Sequence, residues 1–127
     1  MPGLLTDTDV LIDYLRGTTE AIAYVEKNRS GFFISAMSVG ELYAGVREGK
    51  ERDALEIFLR EFEVIPVNFQ IAWRGGIFCR DYRKSHGVGL ADALIAATAE
   101  VNQLTLVTMN QKHFPMLANL VVPYQKP

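Results

Sequence analysis

The chain is poor in cysteine and in long apolar runs, and both shortages exclude classes of protein. A single cysteine, Cys79, has no partner for an internal disulfide, and no histidine or second cysteine lies near it at metal-ligand spacing. We expect a buried thiol there, without redox or zinc chemistry. No apolar run approaches the ~20 residues of a membrane span, and Asp7 follows the first residues too early for a signal peptide. These absences predict a cytoplasmic protein with no membrane contact.

An excess of basic residues is also missing. The net charge is −2, whereas a domain that binds nucleic acid over a whole face is usually basic. Any contact with nucleic acid must therefore be local. The densest basic run, residues 74–87, includes Arg80, Arg83 and Lys84, which a helix would place within two turns. Charge alone leaves two interpretations open, a solvated helix face and a patch that steers an RNA backbone.

Apolar patterning predicts the fold class. The 127 residues are 49% hydrophobic, which suits one domain over residues 1–127 with a real core. Short apolar runs alternate with segments of helical periodicity, and the apolar run that contains Pro66 suits an edge strand or a strand end. The pattern predicts strands at 3–7, 31–36, 64–67, 104–108 and 120–122, and helices at 9–16, 19–28, 51–62, 69–84, 91–102, 111–117 and from Ser38 onward.

Strands separated by helices predict a parallel sheet with helices on both faces, joined by right-handed crossovers. The expected architecture is a three-layer α/β/α fold with a short central parallel sheet of about five strands. In such sheets, ligands collect at the carboxyl ends of the strands. Candidate functional residues should therefore follow strands or open helices.

Three carboxylates occupy such positions. Asp7 ends the first strand, Glu41 lies one turn into the helix after the second strand, and Asp92 lies in the first turn of an almost wholly apolar helix. Sharing one pocket, they would repel strongly at reduced dielectric. Hard oxygen ligands are also what Mg²⁺ or Mn²⁺ prefers. A divalent cation would explain why carboxylates stand where a buried strand ends.

Each neighbouring polar residue also has a purely structural interpretation. Asp9 is well placed as the N-cap of the first helix, and Asp13 suits a solvated helix position. Ser38 and Glu41 fit the S-x-x-E capping box, in which the glutamate bonds the backbone of its own helix. Asp92 near a helix start is favoured by the helix dipole. Local sequence alone favours the capping box for Glu41 and leaves both interpretations open for Asp92.

Four segments, taken in order, carry a family resemblance: TDTDVLIDYL, SAMSVGELYAG, GLADALIAATA and LVTMNQKHF. The succession resembles the PIN-domain ribonucleases, and in particular the VapC-like toxins of bacterial type II toxin–antitoxin pairs. It runs from about residue 4 to residue 122, with family-like spacing. The resemblance implies a parallel sheet between helices and an acidic cluster that holds Mg²⁺ or Mn²⁺ for cutting RNA.

Motif by motif, the resemblance places Asp7, Glu41 and Asp92 as catalytic and metal-binding acids. Thr8 and Asp9 match the polar pair that usually follows the first aspartate. We expect these two residues to position water or substrate.

The last segment departs from the family pattern. Many members carry a further aspartate there, whereas this chain has Asn110 and His113. Asn110 is assigned a catalytic role, and either residue could support a metal-bound water in place of the fourth acid. Thr108, like Thr6, is expected to position water or a substrate phosphate.

The resemblance implies a metal-dependent endoribonuclease that acts as a toxin. Its expected partners are an RNA substrate, a cognate antitoxin protein and a second copy of the chain in a homodimer. Two alternatives remain at this point. The missing fourth acid motivates a module that binds RNA or protein without cutting. The run from Asp7 to Leu11 resembles the D-x-D opening of haloacid-dehalogenase-type phosphatases, although Leu11 departs from that pattern.

Overall fold

A computed structural model describes residues 3–125. Over this range the chain has five β-strands and six α-helices, and the predicted alternation of strands and helices is confirmed. The strands are β1 (Leu4–Thr6), β2 (Phe32–Ser35), β3 (Glu63–Ile65), β4 (Thr105–Val107) and β5 (Leu120–Val121). The helices are α1 (Thr8–Leu15), α2 (Thr19–Lys27), α3 (Ala36–Gly45), α4 (Lys50–Leu59), α5 (Phe69–His86) and α6 (Leu90–Val101), with 3-10 turns at Arg29–Gly31 and Gln111–His113.

All five strands are parallel and pair in the order β3-β2-β1-β4-β5. β1 is therefore central, with Thr6 opposite Ile34 of β2 on one side and Val107 of β4 on the other. β3, the strand that precedes Pro66, lies at the edge of the sheet. This position was expected, because proline has no backbone N–H to donate to a neighbouring strand. The carboxyl ends of the three central strands thus meet at one place.

Helices cover both faces of the sheet and confirm the three-layer architecture. On one face, Leu5 and Leu106 pack against α5 and α6, and α6 is buried along most of its length. On the other face, Ile34 packs against α1, α3 and α4, while Phe32 and Val107 contact α1 and α2. Side chains of successive strand residues point to opposite faces, so these short strands contribute to both cores.

Several predicted boundaries differ from the structure. β1 ends at Thr6, and the helix predicted from Ser38 begins two residues earlier, at Ala36, because Ser35 caps it through a hydrogen bond from the Met37 N–H. The helix predicted at 111–117 is a single 3-10 turn. Cys79 is a buried free thiol, as predicted. Within residues 3–125, no helix is long and apolar enough to cross a membrane.

α5 and α6 pack closely because α5 carries glycine at the contact. A Cβ at Gly75 would lie 2.7 Å from a methyl carbon of Leu94 and 3.2 Å from its Cα, whereas a Cβ at the adjacent Gly76 would meet open space. The Leu94 Cα belongs to the backbone of α6, so it cannot rotate away. Gly75 therefore sets the distance between the two helices that cover one face of the sheet.

We expect Gly75→Ala to lower the free energy of unfolding by about 1–3 kcal/mol through overpacking. Gly76→Ala should instead raise it by about 0.5–1 kcal/mol, because alanine favours the helix over glycine. Urea unfolding of the two single variants measures the difference. If the two substitutions changed the free energy of unfolding equally, the close contact of Gly75 with Leu94 could not be the cause of the destabilisation.

Candidate active site

The polar residues after β1, β2 and β4 gather at the carboxyl edge of the sheet. Asp7 follows β1 directly and is the N-cap of α1, where its side chain accepts a hydrogen bond from the backbone of the first turn. Thr108 follows β4, and Glu41 lies on α3, which starts where β2 ends. Asp92 lies in the first turn of α6. The parallel sheet thus brings residues from distant segments to one edge.

Asp7 is the most enclosed acid of this group, with only 6% of its surface exposed. Its Oδ1 accepts the Thr8 N–H at 2.8 Å, and its Oδ2 accepts the Thr108 hydroxyl at 2.7 Å. Its own N–H donates to the Val107 carbonyl at 2.8 Å and extends the pairing of β1 with β4. One carboxylate oxygen is therefore held by the first residue of α1 and the other by the residue that follows β4.

Burial above all, together with the negative charges of Asp9 and Asp92, raises the pKa of Asp7 to about 7. The hydrogen bonds from Thr108 and from the Thr8 N–H act in the opposite direction, because they stabilise the ionised form. Asp9 and Asp92 thus lie close enough to oppose the charge on Asp7. A cation among these carboxylates would remove the penalty.

Glu41 is held by a side chain of α1. The Thr8 hydroxyl donates to Glu41 Oε1 at 2.6 Å and lies 2.9 Å from the hydroxyl oxygen of Ser38, which is fully buried. The predicted capping box is therefore wrong. Ser35 caps α3, so Ser38 and Glu41 lie inside the helix, and Glu41 faces a partner 33 residues away. The sequence analysis did not predict Ser38 as a member of this site, because the capping-box motif already explained its hydroxyl within its own helix.

The remaining candidates form a second, more exposed group. His113 Nδ1 lies 3.2 Å from Asp92 Oδ2 and 3.0 Å from the side-chain amide of Asn110. Asn110 also donates its backbone N–H to the Thr108 hydroxyl oxygen at 3.0 Å. Because Thr108 in turn donates to Asp7, hydrogen bonds connect the two groups.

Asp9 joins α1 to the loop after β4. Its Oδ1 accepts the N–H of Val10 at 2.7 Å, and its Oδ2 accepts the N–H of Met109 at 3.0 Å. The prediction that Asp9 is the N-cap is wrong, because Asp7 takes that position and Asp9 lies in the first turn. A partner 100 residues away determines its orientation.

The prediction of a solvated Asp13 is also wrong. Asp13 is only 6% exposed, and its Oδ2 accepts the hydroxyl of Tyr124 at 2.8 Å. Tyr124 packs beside Val10 and Val107 in the core under α1. A hydrogen bond thus joins the segment after β5 to α1, the helix that Asp7 caps.

The side chains of this site can be compared with those that a divalent cation requires. Among residues 3–125, no three acidic, imidazole or thiol side chains lie close enough together to enclose a metal ion. The oxygen ligands and the raised pKa of Asp7 nevertheless fit a divalent cation held by a few carboxylates and by water. The arrangement suits a hydrated Mg²⁺ or Mn²⁺ ion rather than a closed structural site.

The basic residues 80, 83 and 84 lie on the last two turns of α5, beside the loop that leads to Asp92. Arg80 forms an ion pair with Asp81 at 3.0 Å, and Arg83 donates to the sulfur of Cys79 at 3.3 Å. Lys84 is exposed. Their role in RNA binding stays a prediction.

The raised pKa of Asp7 implies that stability depends on pH. An ordinary aspartate in the unfolded chain titrates near pH 4. Between that value and about 7, the folded state of the wild type holds the proton more tightly. The resulting stabilisation is complete below about pH 4 and is lost as the pH rises through about 7.

Asp7→Asn removes this ionisation. Without divalent cations at about pH 8, we expect the free energy of unfolding of the variant to exceed that of the wild type by on the order of 1–3 kcal/mol, with the difference vanishing near pH 4. Urea unfolding across this range measures it. Asp53→Asn, an exposed acid on α4, is the control. If the wild type were as stable as the Asp7 variant at pH 8, the raised pKa of Asp7 would be contradicted.

Known proteins with the same fold cover nearly the whole chain. A family model described as the PIN domain matches residues 4–119. The chain is 42% identical over 127 residues to Ribonuclease VapC10 of Mycobacterium tuberculosis, over 98% of this chain and 95% of that protein. A toxin-antitoxin complex from Klebsiella pneumoniae contains a similar chain, with a TM-score of 0.83 and 30% identity over 98% of this chain and 100% of that one. DNA-bound VapBC from Salmonella typhimurium gives a TM-score of 0.78 and 25% identity over 94% and 96% of the two chains. The family model and the curated relative agree in coverage, and this chain belongs to the PIN domain family.

Proposed function

We propose that the protein is a divalent-metal-dependent endoribonuclease and the toxin of a toxin–antitoxin pair. The observation that carries the proposal is the enclosed Asp7, whose charge is opposed by Asp9 and Asp92 and which lies in a segment shared with named ribonucleases. A buried carboxylate of this kind favours a cation as its partner. Membership of the PIN family argues against the phosphatase alternative.

When bound, a divalent cation would activate water for in-line attack on the phosphodiester and would neutralise the charge that develops on phosphate. Asp7 and Asp92 would hold it, with Glu41 contributing directly or through water. The Thr108 hydroxyl and the Thr8 N–H favour the ionised form of Asp7, which is the form that binds a cation. Thr8 fixes one oxygen of Glu41, so that the other is available.

RNA would approach over the last turns of α5, where Arg80, Arg83 and Lys84 lie beside the loop before Asp92. Arg80 is already paired with Asp81. In the described part of the chain, no salt bridge involves Arg83 or Lys84, so we assign the main phosphate contact to Lys84 and support to Arg83. Contacts of this kind add affinity without sequence preference.

An antitoxin is the proposed regulatory partner, because structural neighbours are described as a toxin-antitoxin complex and as DNA-bound VapBC. A groove of about 620 Å³ between α1, α3 and α4 has an apolar floor that includes Ile12, Leu42 and Leu55, and Glu41 lies at its wall. An apolar segment of an antitoxin bound there would reach the acidic site.

A homodimer is also proposed. Phe69 and Trp73, one turn apart on α5, are 87% and 57% exposed. Exposed aromatic side chains that form one stripe suit an interface between copies of the chain.

Cleavage of end-labelled structured RNA by the partner-free protein tests the function. We expect products with Mg²⁺ or Mn²⁺, none with EDTA, and a loss of at least about 100-fold in Asp7→Asn and Asp92→Asn. Asp53→Asn should cut as the wild type does. RNA binding without any metal-dependent product would overturn the nuclease and favour the alternative of a binding module.

The bond from Thr8 to Glu41 gives a second test. Thr8→Val preserves the shape of the side chain but removes the donor, so we expect cleavage to fall about tenfold or more, whereas Thr8→Ser should retain most activity. Urea unfolding of both variants shows whether the fold is intact. Equal cleavage by the valine and serine variants would contradict a role for the hydroxyl.

A further inference from the structure

Ser38 has a buried hydroxyl that does not bond its own helix, α3. A serine or threonine inside a helix often donates to the carbonyl four residues earlier. Thr98 of α6 does so, since its hydroxyl donates to the Leu94 carbonyl at 2.7 Å. Ser38 is as fully buried as Thr98, yet its hydroxyl lies 2.9 Å from that of Thr8, its one side-chain hydrogen-bond partner within residues 3–125. The fold thus directs this hydroxyl toward the candidate active site.

The Thr8 hydroxyl has two oxygen neighbours and only one proton to give. Its oxygen lies 2.6 Å from Glu41 Oε1 and 2.9 Å from Ser38 Oγ. A carboxylate oxygen can only accept, so the Thr8 proton belongs to the shorter contact, with Glu41. The contact between the two hydroxyls then needs the proton of Ser38. The hydrogen bonds therefore run in one direction, from Ser38 through Thr8 to Glu41.

A similar arrangement occurs at Asp7. Thr108 donates to Asp7 Oδ2 at 2.7 Å, and its oxygen accepts the Asn110 N–H at 3.0 Å. In both cases a threonine donates to a carboxylate while a second donor occupies the threonine oxygen. At Thr108 the second donor is a backbone N–H, whereas at Thr8 it is a side chain. The donor behind Thr8 can therefore be removed by a single substitution.

We propose that Ser38 is a positioning residue of the nuclease, which donates to Thr8 and thereby orients the Thr8 hydroxyl toward Glu41. A hydroxyl that accepts one hydrogen bond donates a stronger one, because the bonds of a chain polarise each other. Without Ser38, the Thr8 proton loses its fixed direction and Glu41 is held less firmly at the carboxyl edge of the sheet. The effect on cleavage rests on the proposed function, whereas the bond from Ser38 to Thr8 can be measured without RNA or metal.

Urea unfolding of the metal-free, partner-free protein tests that bond. Ser38→Ala and Thr8→Val, made singly and together, form a double-mutant cycle. We expect their effects on the unfolding equilibrium constant to be coupled by about three- to tenfold, as one buried hydrogen bond would give. Additive effects would overturn the bond and the proposal with it.

The kinetics of RNA cleavage test the positioning role. We expect Ser38→Ala to lower kcat about three- to tenfold with KM unchanged, because it acts on a group at the reacting centre and not on an RNA contact. In the Thr8→Val background the same substitution should cause no further loss, because the connection to Glu41 is already broken. Ser38→Thr keeps the hydroxyl and should retain at least about half of the wild-type kcat.

Thr98→Val is the matched control, because it also removes a fully buried hydroxyl from a helix. It should lower stability and keep the wild-type kcat. A wild-type kcat in folded Ser38→Ala, or an equal loss with and without the Thr8 hydroxyl, would overturn the positioning role. If the wild type cuts no RNA, the proposed function fails, and coupling in the unfolding cycle would still uphold the orientation of Thr8 by Ser38.

Discussion

The enclosed carboxylate of Asp7 is the constraint on which the arrangement of the site depends. An ionised carboxylate at 6% exposure would cost several kcal/mol if no donor or cation met it. Two hydrogen bonds and the start of α1 offset part of this cost, yet the pKa still rises to about 7. Burial accounts for most of the remaining cost, and Asp9 and Asp92 add to it with charge of the same sign. Such a residue supports the proposal that this site binds a cation.

The strand order places the Asp7 carboxylate at the end of the central strand, where residues that follow the neighbouring strands can contact it. β1 is the central strand, and Thr108 is aligned to reach Asp7 by the pairing of Thr6 with Val107. A shift of one residue between β1 and β4 would turn Thr108 to the opposite face and would also place Val107 outside its core. The apolar residues of these short strands therefore specify the register that the polar residues after them require.

Sequence patterns predicted the alternation of elements and the edge of the sheet where the candidates meet, because periodicity and strand ends are local properties. They failed at Asp9, Ser38 and Asp13, where a purely local interpretation was sufficient. In each case the structure shows a hydrogen bond with a group distant in sequence: the Met109 N–H for Asp9, the Thr8 hydroxyl for Ser38, and the Tyr124 hydroxyl for Asp13. Sequence motifs for helix caps describe hydrogen bonds between residues a few positions apart. The partner of a side chain buried between the layers is instead determined by tertiary contacts, which such motifs do not include.

The two halves of the site differ in what a substitution costs. Thr8, Thr108 and Asp7 are buried, so a change there removes packing and hydrogen bonds together. His113 and Asn110 lie at the surface on one short turn, and a change in their side chains leaves the strands and helices intact. Surface substitutions usually alter stability by at most about 0.5 kcal/mol. A substitution at the exposed half therefore changes the chemistry of the site with little effect on the fold, whereas one at the buried half changes stability as well.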